Sequence, residues 1–152
     1  MASPPPGTIS LDLGLSSLEL RRCSDWLQDN CRRLEFPSGP TGKLDLCLNE
    51  VLANLIDHGG ARRSSCPAQL TLERTDHDDR GLATLTICDA GPAFDPLSVG
   101  QGPRPRSLAE AEPGGLGLLL VNRFMDERSY RREGGRNVLK LGIHWLNSPS
   151  PV

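Results

Sequence analysis

Three groups of residues in this sequence have the types and spacing to do chemistry. Glu50, Asn54 and His58 recur every four residues, so on a helix turning about 100° per residue they form one ridge. Leu44, Leu48, Val51, Leu52 and Leu55 make the apolar face of the same helix, and the ridge lies roughly a quarter turn from its centre. A carboxylate and an amide at the edge of a core can face a cleft while the helix stays anchored, which suits a general base and an oxygen ligand to a hard cation. His58, at the helix end, suits packing or capping better than catalysis. The second group, Asp89-Ala90-Gly91-Pro92-Ala93-Phe94-Asp95-Pro96, stands where an apolar strand ends. A carboxylate there can accept a hydrogen bond from an exocyclic amine such as that of adenine, and Gly91 permits close backbone approach. The third, Gly114-Gly115-Leu116-Gly117-Leu118-Leu119-Leu120, runs glycines into a helix whose unpaired N–H groups and dipole suit an anion. It lacks the Gly-Lys-Ser/Thr of a Walker A loop, and neither its spacing nor the proline-rich stretch before it fits a dinucleotide fingerprint. Each group also has a plain structural reading when taken alone. These are polar residues on an amphipathic helix, an Asp-x-Gly turn, and a flexible loop leading into a buried helix.

The elements that must position these residues follow from periodicity. An extended stretch around Thr8 to Leu13 precedes a helix over roughly Ser17 to Leu34, signalled by the capping pair Ser16 and Glu19 and by Leu20, Cys23, Leu27, Cys31 and Leu34. Phe36-Pro37-Ser38-Gly39-Pro40-Thr41-Gly42 breaks the chain, and a second helix runs from about Lys43 to His58, stopped by Gly59-Gly60. Ala68 to Arg74 and Leu82 to Cys88 read as paired strands across the polar turn Thr75 to Gly81. Asp89 to Gly114 has no sustained periodicity, and connections of that length inside compact domains are usually lids or binding loops. A helix from near Gly115 carries Leu118, Leu119, Val121 and Met125, followed by strands around Arg128–Arg132 and Asn137–Trp145 across an Arg132-Glu133-Gly134-Gly135 turn. This order suits an α+β fold, a two-layer α/β sandwich with a mixed, mostly antiparallel sheet and helices on one face.

Composition bounds the partners. The 152 residues suit one domain over 8–146, with proline-rich tails at 1–7 and 147–152 expected to be flexible. Seventeen basic against nineteen acidic residues give a net charge of −2, so no global field recruits nucleic acid or an anionic membrane, and six aromatics are too few for a stacking platform. Five cysteines without a CxxC pair argue against a disulfide framework or a structural zinc. The opening Met-Ala-Ser-Pro-Pro-Pro-Gly has neither the basic start nor the apolar run of a secretion signal, and no apolar stretch is long enough to span a bilayer, so the expected location is the cytoplasm.

Taken together, Glu50-x-x-x-Asn54, Asp89-x-Gly91-x-x-Phe94-Asp95-Pro96 and Gly114-Gly115-Leu116-Gly117-Leu118, in that order, resemble the three nucleotide-binding boxes of the GHKL ATPase superfamily. Leu46 to His58 and the Phe94-Asp95-Pro96 ending look more closely like the stand-alone anti-sigma-factor serine/threonine kinases of the RsbW and SpoIIAB type. The resemblance implies the Bergerat ATP-binding fold, ATP and Mg²⁺ as ligands, and transfer of phosphate to a serine. It implies Glu50 as the catalytic residue and a nucleotide site made by Asn54, Asp89, Gly91, Phe94, Gly115, Leu116, Gly117 and Leu118. In that site Asp89 binds the adenine amine with Gly91 behind the ring, Asn54 is the metal ligand, Gly115 and Gly117 cradle the phosphates, and Ser98 to Gly114, with Arg104 and Arg106, forms a lid. The implied partners are a STAS-type anti-anti-sigma protein as substrate, an RNA polymerase sigma factor, and a possible second copy of the chain. Relatives usually carry Gly-Thr at the start of the last strand, where this chain has Gly135-Arg136-Asn137-Val138; Asn137 could replace the threonine hydrogen bond, whereas Arg136 is bulky and charged. A noncatalytic nucleotide-gated sequestering module and a plain interaction domain are the alternatives. The length leaves no room for the helical hairpin of a sensor kinase or the transducer of a gyrase.

Overall fold

A computed structural model of the chain describes residues 7–58, 68–98 and 115–147. Strand β1 (Thr8–Leu13) leads into helices α1 (Ser17–Arg33) and α2 (Ser38–His58). The hairpin β2 (Ala68–His77) and β3 (Arg80–Asp89) follows, then helix α3 (Gly115–Phe124) and the hairpin β4 (Glu127–Glu133) and β5 (Arg136–Leu146). One sheet results, in the order β1-β2-β3-β5-β4, with every neighbouring pair antiparallel. On central β3, Gly81, Ala83, Leu85, Ile87 and Asp89 are buried while Thr84, Thr86 and Cys88 between them are half-buried. That alternation is the mark of a sheet covered by helices on one face. Leu27, Leu44, Leu48 and Leu52 from the helices meet Leu70, Leu72, Leu85, Ile87 and Leu141 from the strands in one fully buried core. The expected α+β two-layer sandwich is therefore the fold.

Local boundaries differ from the sequence expectations in instructive places. Helix α2 starts at Ser38 rather than near Lys43, because Pro40 falls in the first turn, where its missing N–H has no intrahelical role. The Pro37 carbonyl takes the first bond from Thr41 N (3.2 Å), and the Thr41 hydroxyl donates to the same oxygen (2.9 Å). The Ser16–Glu19 capping box does not form: Ser16 is extended, its side chain makes no cap bond, and Glu19 instead accepts from Arg22 (2.7 Å). Strand β2 continues to His77 and β3 begins at Arg80, so the turn between them shrinks to Asp78 and Asp79, with Asp78 at φ 56°. Gly134 (φ 57°) and Gly135 (φ 75°) give the two-residue turn that joins β4 to β5 the paired positive dihedrals a tight hairpin needs.

Helix α1 ends in a Schellman motif built on Glu35 (φ 59°), with Phe36 N donating to Cys31 O (2.8 Å) and Glu35 N to Arg32 O (3.0 Å). Arg74 on β2 reinforces that end by donating to the carbonyls of Leu34 and Glu35, while its other nitrogens hold Asp76 at 3.1 Å. Those bonds from Arg74, with one from Asn147, hold the Asp76 carboxyl below its ordinary value. The Arg74 guanidinium also lies 5.3 Å from the Trp145 ring, which packs on Phe36 at 5.2 Å. Between the helices, Ser24 and Gln28 of α1 both donate to Asp45 of α2 (2.6 and 3.3 Å). Among the described residues no helix is long and apolar enough to cross a membrane. The described cysteines are free; Cys23, Cys31 and Cys47 have no accessible surface, and burial pushes each thiol up to about 11.

Two predictions follow from this packing. A Cβ added at Gly81 would collide with the Trp145 indole, which is packed between Phe36 and Arg74. Gly81→Ala should therefore cost about 1–3 kcal/mol in urea unfolding; an unchanged midpoint would show that the ring yields. The core thiols titrate near 9.0 when unfolded and near 11 when folded. Between those values the unfolded chain has lost protons the folded chain keeps, so stability falls as pH rises from about 9 to about 11. The fall should be shallower in Cys23→Ala, measured by denaturant titration across that range.

Candidate functional site

The inward-facing row on β3 is apolar until its last member, Asp89, and the matching row on β5 is apolar except for its first, Asn137. The β3–β5 register sets these two opposite each other, each only 4% exposed. A narrow pocket, with an enclosed volume of only about 10 Å³, opens above them between the later half of α2 and the strand ends. Val51, Asn54, Leu55, Ile87, Asp89, Phe94, Pro96, Tyr130, Asn137 and Leu139 line it.

Burying a carboxylate and a carboxamide is costly unless both are hydrogen-bonded, and here they bond to each other and to their surroundings. Asp89 Oδ1 accepts from Gly91 N (2.9 Å) and from Asn137 Nδ2 (3.1 Å). The second proton of Asn137 Nδ2 goes to Pro92 O (2.8 Å). Asn137 Oδ1 accepts from Tyr130 OH (2.6 Å), Arg132 Nη1 (3.1 Å) and Phe94 N (3.3 Å), and Arg132 Nη1 also donates to Gly91 O (2.7 Å). Exchanging the amide's oxygen and nitrogen would set an N–H against the donors Phe94 N and Arg132, so its orientation is unique on chemical grounds. Among the described residues, no donor reaches Asp89 Oδ2.

The loop after β3 is shaped by Asp95. Its carboxylate accepts from Leu97 N (2.9 Å) and its carbonyl from Ser98 N (3.2 Å) and Ser98 Oγ (2.7 Å), capping the single 3-10 turn Pro96–Ser98 with proline at the first position. Pro96 is thereby buried in the pocket wall, while Phe94 stands at its rim, 42% exposed. On α2, Asn54 lines the pocket half-buried and Glu50 lies one turn earlier on the same ridge, half-buried and outside the lining. Helix α3 packs along α2, with Lys43 Nζ 5.9 Å from the Phe124 ring, and Asn122 bonds Leu97 O (3.3 Å). Lys43, near the start of α2, thus lies beside Phe124 at the end of α3. Leu118 is buried in the core (2% exposed), so only its backbone is available to a ligand.

The structure thus brings Asn54, Asp89, Gly91 and Phe94 together and sets Glu50 beside them. Gly114 and the loop with Arg104 and Arg106 lie outside the described residues. Arg136 falls on the opposite face of the sheet from Asn137, where its Nε lies 3.2 Å from Cys88 Sγ, so its bulk does not enter the pocket. Sequence reasoning missed Tyr130 and Arg132. The two-residue Gly134-Gly135 turn was their signal, since it pairs Arg132 with Asn137 and Tyr130 with Leu139 on the same face.

No group of three or more His, Cys, Asp or Glu suited to a metal occurs among the described residues. The half-buried Asn54 carboxamide at the pocket wall fits a Mg²⁺ ion that draws its remaining ligands from phosphate and water.

Residues 16–143 match the family described as Histidine kinase-like ATPase domain. The serine/threonine-protein kinase BtrW of Bordetella bronchiseptica is 34% identical over 137 residues, covering 90% of this chain and 94% of that protein. A crystal structure of the RsbU and RsbW domains of Rv1364c from Mycobacterium tuberculosis superposes with a TM-score of 0.64 at 14% identity, over 92% of this chain; the chain spans about a third, 32%, of that one.

Asp95→Ala removes the side-chain cap of the 3-10 turn and should cost about 1 kcal/mol. Amide exchange at Leu97 should accelerate in this variant; protection equal to the parent's would mean that packing of Pro96 alone holds the turn.

Proposed function

Because the chain belongs to the histidine kinase-like ATPase domain family, we propose that it binds Mg²⁺·ATP between α2 and the ends of β3 and β5 and passes the γ-phosphoryl group to a serine of a partner protein. The observation that carries this reading is the buried Asp89 carboxylate, fixed at the end of β3 with one oxygen occupied, in a pocket that also contains Asn54. Such a carboxylate accepts a hydrogen bond from an amino group on a flat ring, and the apolar residues lining the pocket suit the faces of a ring that enters as the pocket opens.

On this reading Asp89 takes the 6-amino group of adenine while Ile87, Leu139 and Val51 flank the base. Gly115 and Gly117 open α3 with N–H groups free of intrahelical partners, and on this reading they would take the phosphates. Asn54 offers its amide oxygen to Mg²⁺, which when bound neutralises phosphate charge. Glu50 orients the serine hydroxyl and takes its proton as the oxygen bonds to the γ-phosphorus; the bond from that phosphorus to the β,γ-bridging oxygen breaks, and ADP carries the electron pair away. Most of the acceleration in such a site comes from positioning and charge neutralisation.

The likeness to BtrW over nearly the whole of both chains supports a protein substrate. We assign that substrate to the STAS-type anti-anti-sigma class, with a sigma factor as the competing partner and a homodimer as the working form. Nucleotide state and antagonist phosphorylation would then decide which complex prevails, through differential affinity alone.

Incubation with γ-labelled ATP, Mg²⁺ and a STAS-type antagonist should label a serine on the antagonist. Glu50→Gln should slow transfer about 100-fold or more while leaving ATP affinity within a few-fold. ATP binding with no transfer to any antagonist would point to a sequestering module, and a folded chain that binds no ATP would leave only an interaction domain.

A further inference from the structure

The carboxamide of Asn137 carries five hydrogen bonds, all to groups of the protein itself. Both Nδ2 protons are spent, on Asp89 Oδ1 and Pro92 O, and Oδ1 already receives Tyr130, Arg132 and Phe94. A group so saturated has no donor left for a base. Its neighbours on the same row, Leu139, Leu141 and Ile143, are buried and apolar, so packing alone would be met by another aliphatic residue. What the carboxamide adds is control of the carboxylate beside it. Two donors converge on Asp89 Oδ1 from different directions, Gly91 N from the loop and Asn137 Nδ2 from across the sheet, so the carboxylate cannot rotate without breaking both bonds. The cationic Arg132 and the Tyr130 hydroxyl pull on the far end of the same amide, which polarises its N–H groups and strengthens their hold.

We propose that Asn137, with Tyr130 and Arg132 acting through it, is a positioning residue for purine selection: it consumes Asp89 Oδ1 and turns Oδ2 toward the edge of a base that bears an amino group. The inference rests on the nucleotide reading above and adds to it the residues that decide which purine is accepted. Arg132 serves both ends, since its second bond, to Gly91 O, fixes the turn that supplies the other donor to Asp89.

Calorimetric titration with ATP and with purine riboside triphosphate, which has hydrogen in place of the 6-amino group, separates this role from a merely structural one. The parent protein should prefer ATP by about tenfold or more, the range of one hydrogen bond to a charged group. In Asn137→Ala that preference should collapse to within about threefold because ATP weakens while the analogue hardly changes. Tyr130→Phe removes one hydroxyl and leaves the strand register alone, so it should lower the preference about two- to threefold even if Asn137→Ala does not fold. Equal weakening of both ligands in the variants, or an unchanged preference in Tyr130→Phe, would overturn the proposal and leave ATP binding intact. A parent protein that binds ATP and the analogue equally would overturn it too, and one that binds neither would overturn the nucleotide reading with it.

Discussion

An ionisable group buried at the end of an otherwise apolar sheet face constrains everything around it. Asp89 is only 4% exposed, and the bonds that hold its Oδ1 draw on three chain segments: the turn at Gly91, the first inward position of β5, and, through Asn137, strand β4. The β3–β5 pairing must hold its register to the residue, because a slip of one would replace Asn137 with Arg136 or Val138 and turn the side chain out of reach. The apolar core below fixes that register, since Ile87 against Leu139 and Leu85 against Leu141 have to face the helices.

The same constraint explains how much could be read from the sequence. The five leucine and valine positions of α2 and the alternation in β3 are strong periodic signals, and both faces are buried where periodicity put them. The ends of elements were harder. Helix α1 stops on Glu35 in a left-handed conformation that glycine usually fills, and α2 begins on a Ser-Gly-Pro stretch that reads as a breaker; a tertiary contact from Arg74 secures the first, and the Pro37 carbonyl, bonded by Thr41, secures the second. The capping pair Ser16 and Glu19 had the right spacing, but an arginine three residues on competes for the glutamate. At the site, Asn54, Asp89 and Gly91 are legible because the order of their motifs resembles a known set of nucleotide-binding boxes, each being ordinary when taken alone. Tyr130 and Arg132 did not, because an exposed edge strand rich in charge looks ordinary until its register against β5 is known.

The arrangement divides labour between the two layers. The sheet carries polar groups locked by strand pairing and a satisfied network. The helical layer carries the Glu50–Asn54 ridge, with Asn54 in the pocket wall. The two meet at the 3-10 turn after Asp95, where Leu97 bonds α3 through Asn122 and Pro96 closes the pocket wall.

The contact of Arg74, Phe36 and Trp145 lies at the other end of the same strands, about 26 Å from Asp89 along β3, at roughly 3.3 Å per residue. There the helical layer is bolted to the sheet by a guanidinium threaded onto two helix carbonyls and by an indole seated against Gly81, where a side chain would collide. That end is thus closed by hydrogen bonds and ring packing on top of the shared apolar core, whereas at the Asp89 end the layers part far enough to leave a pocket.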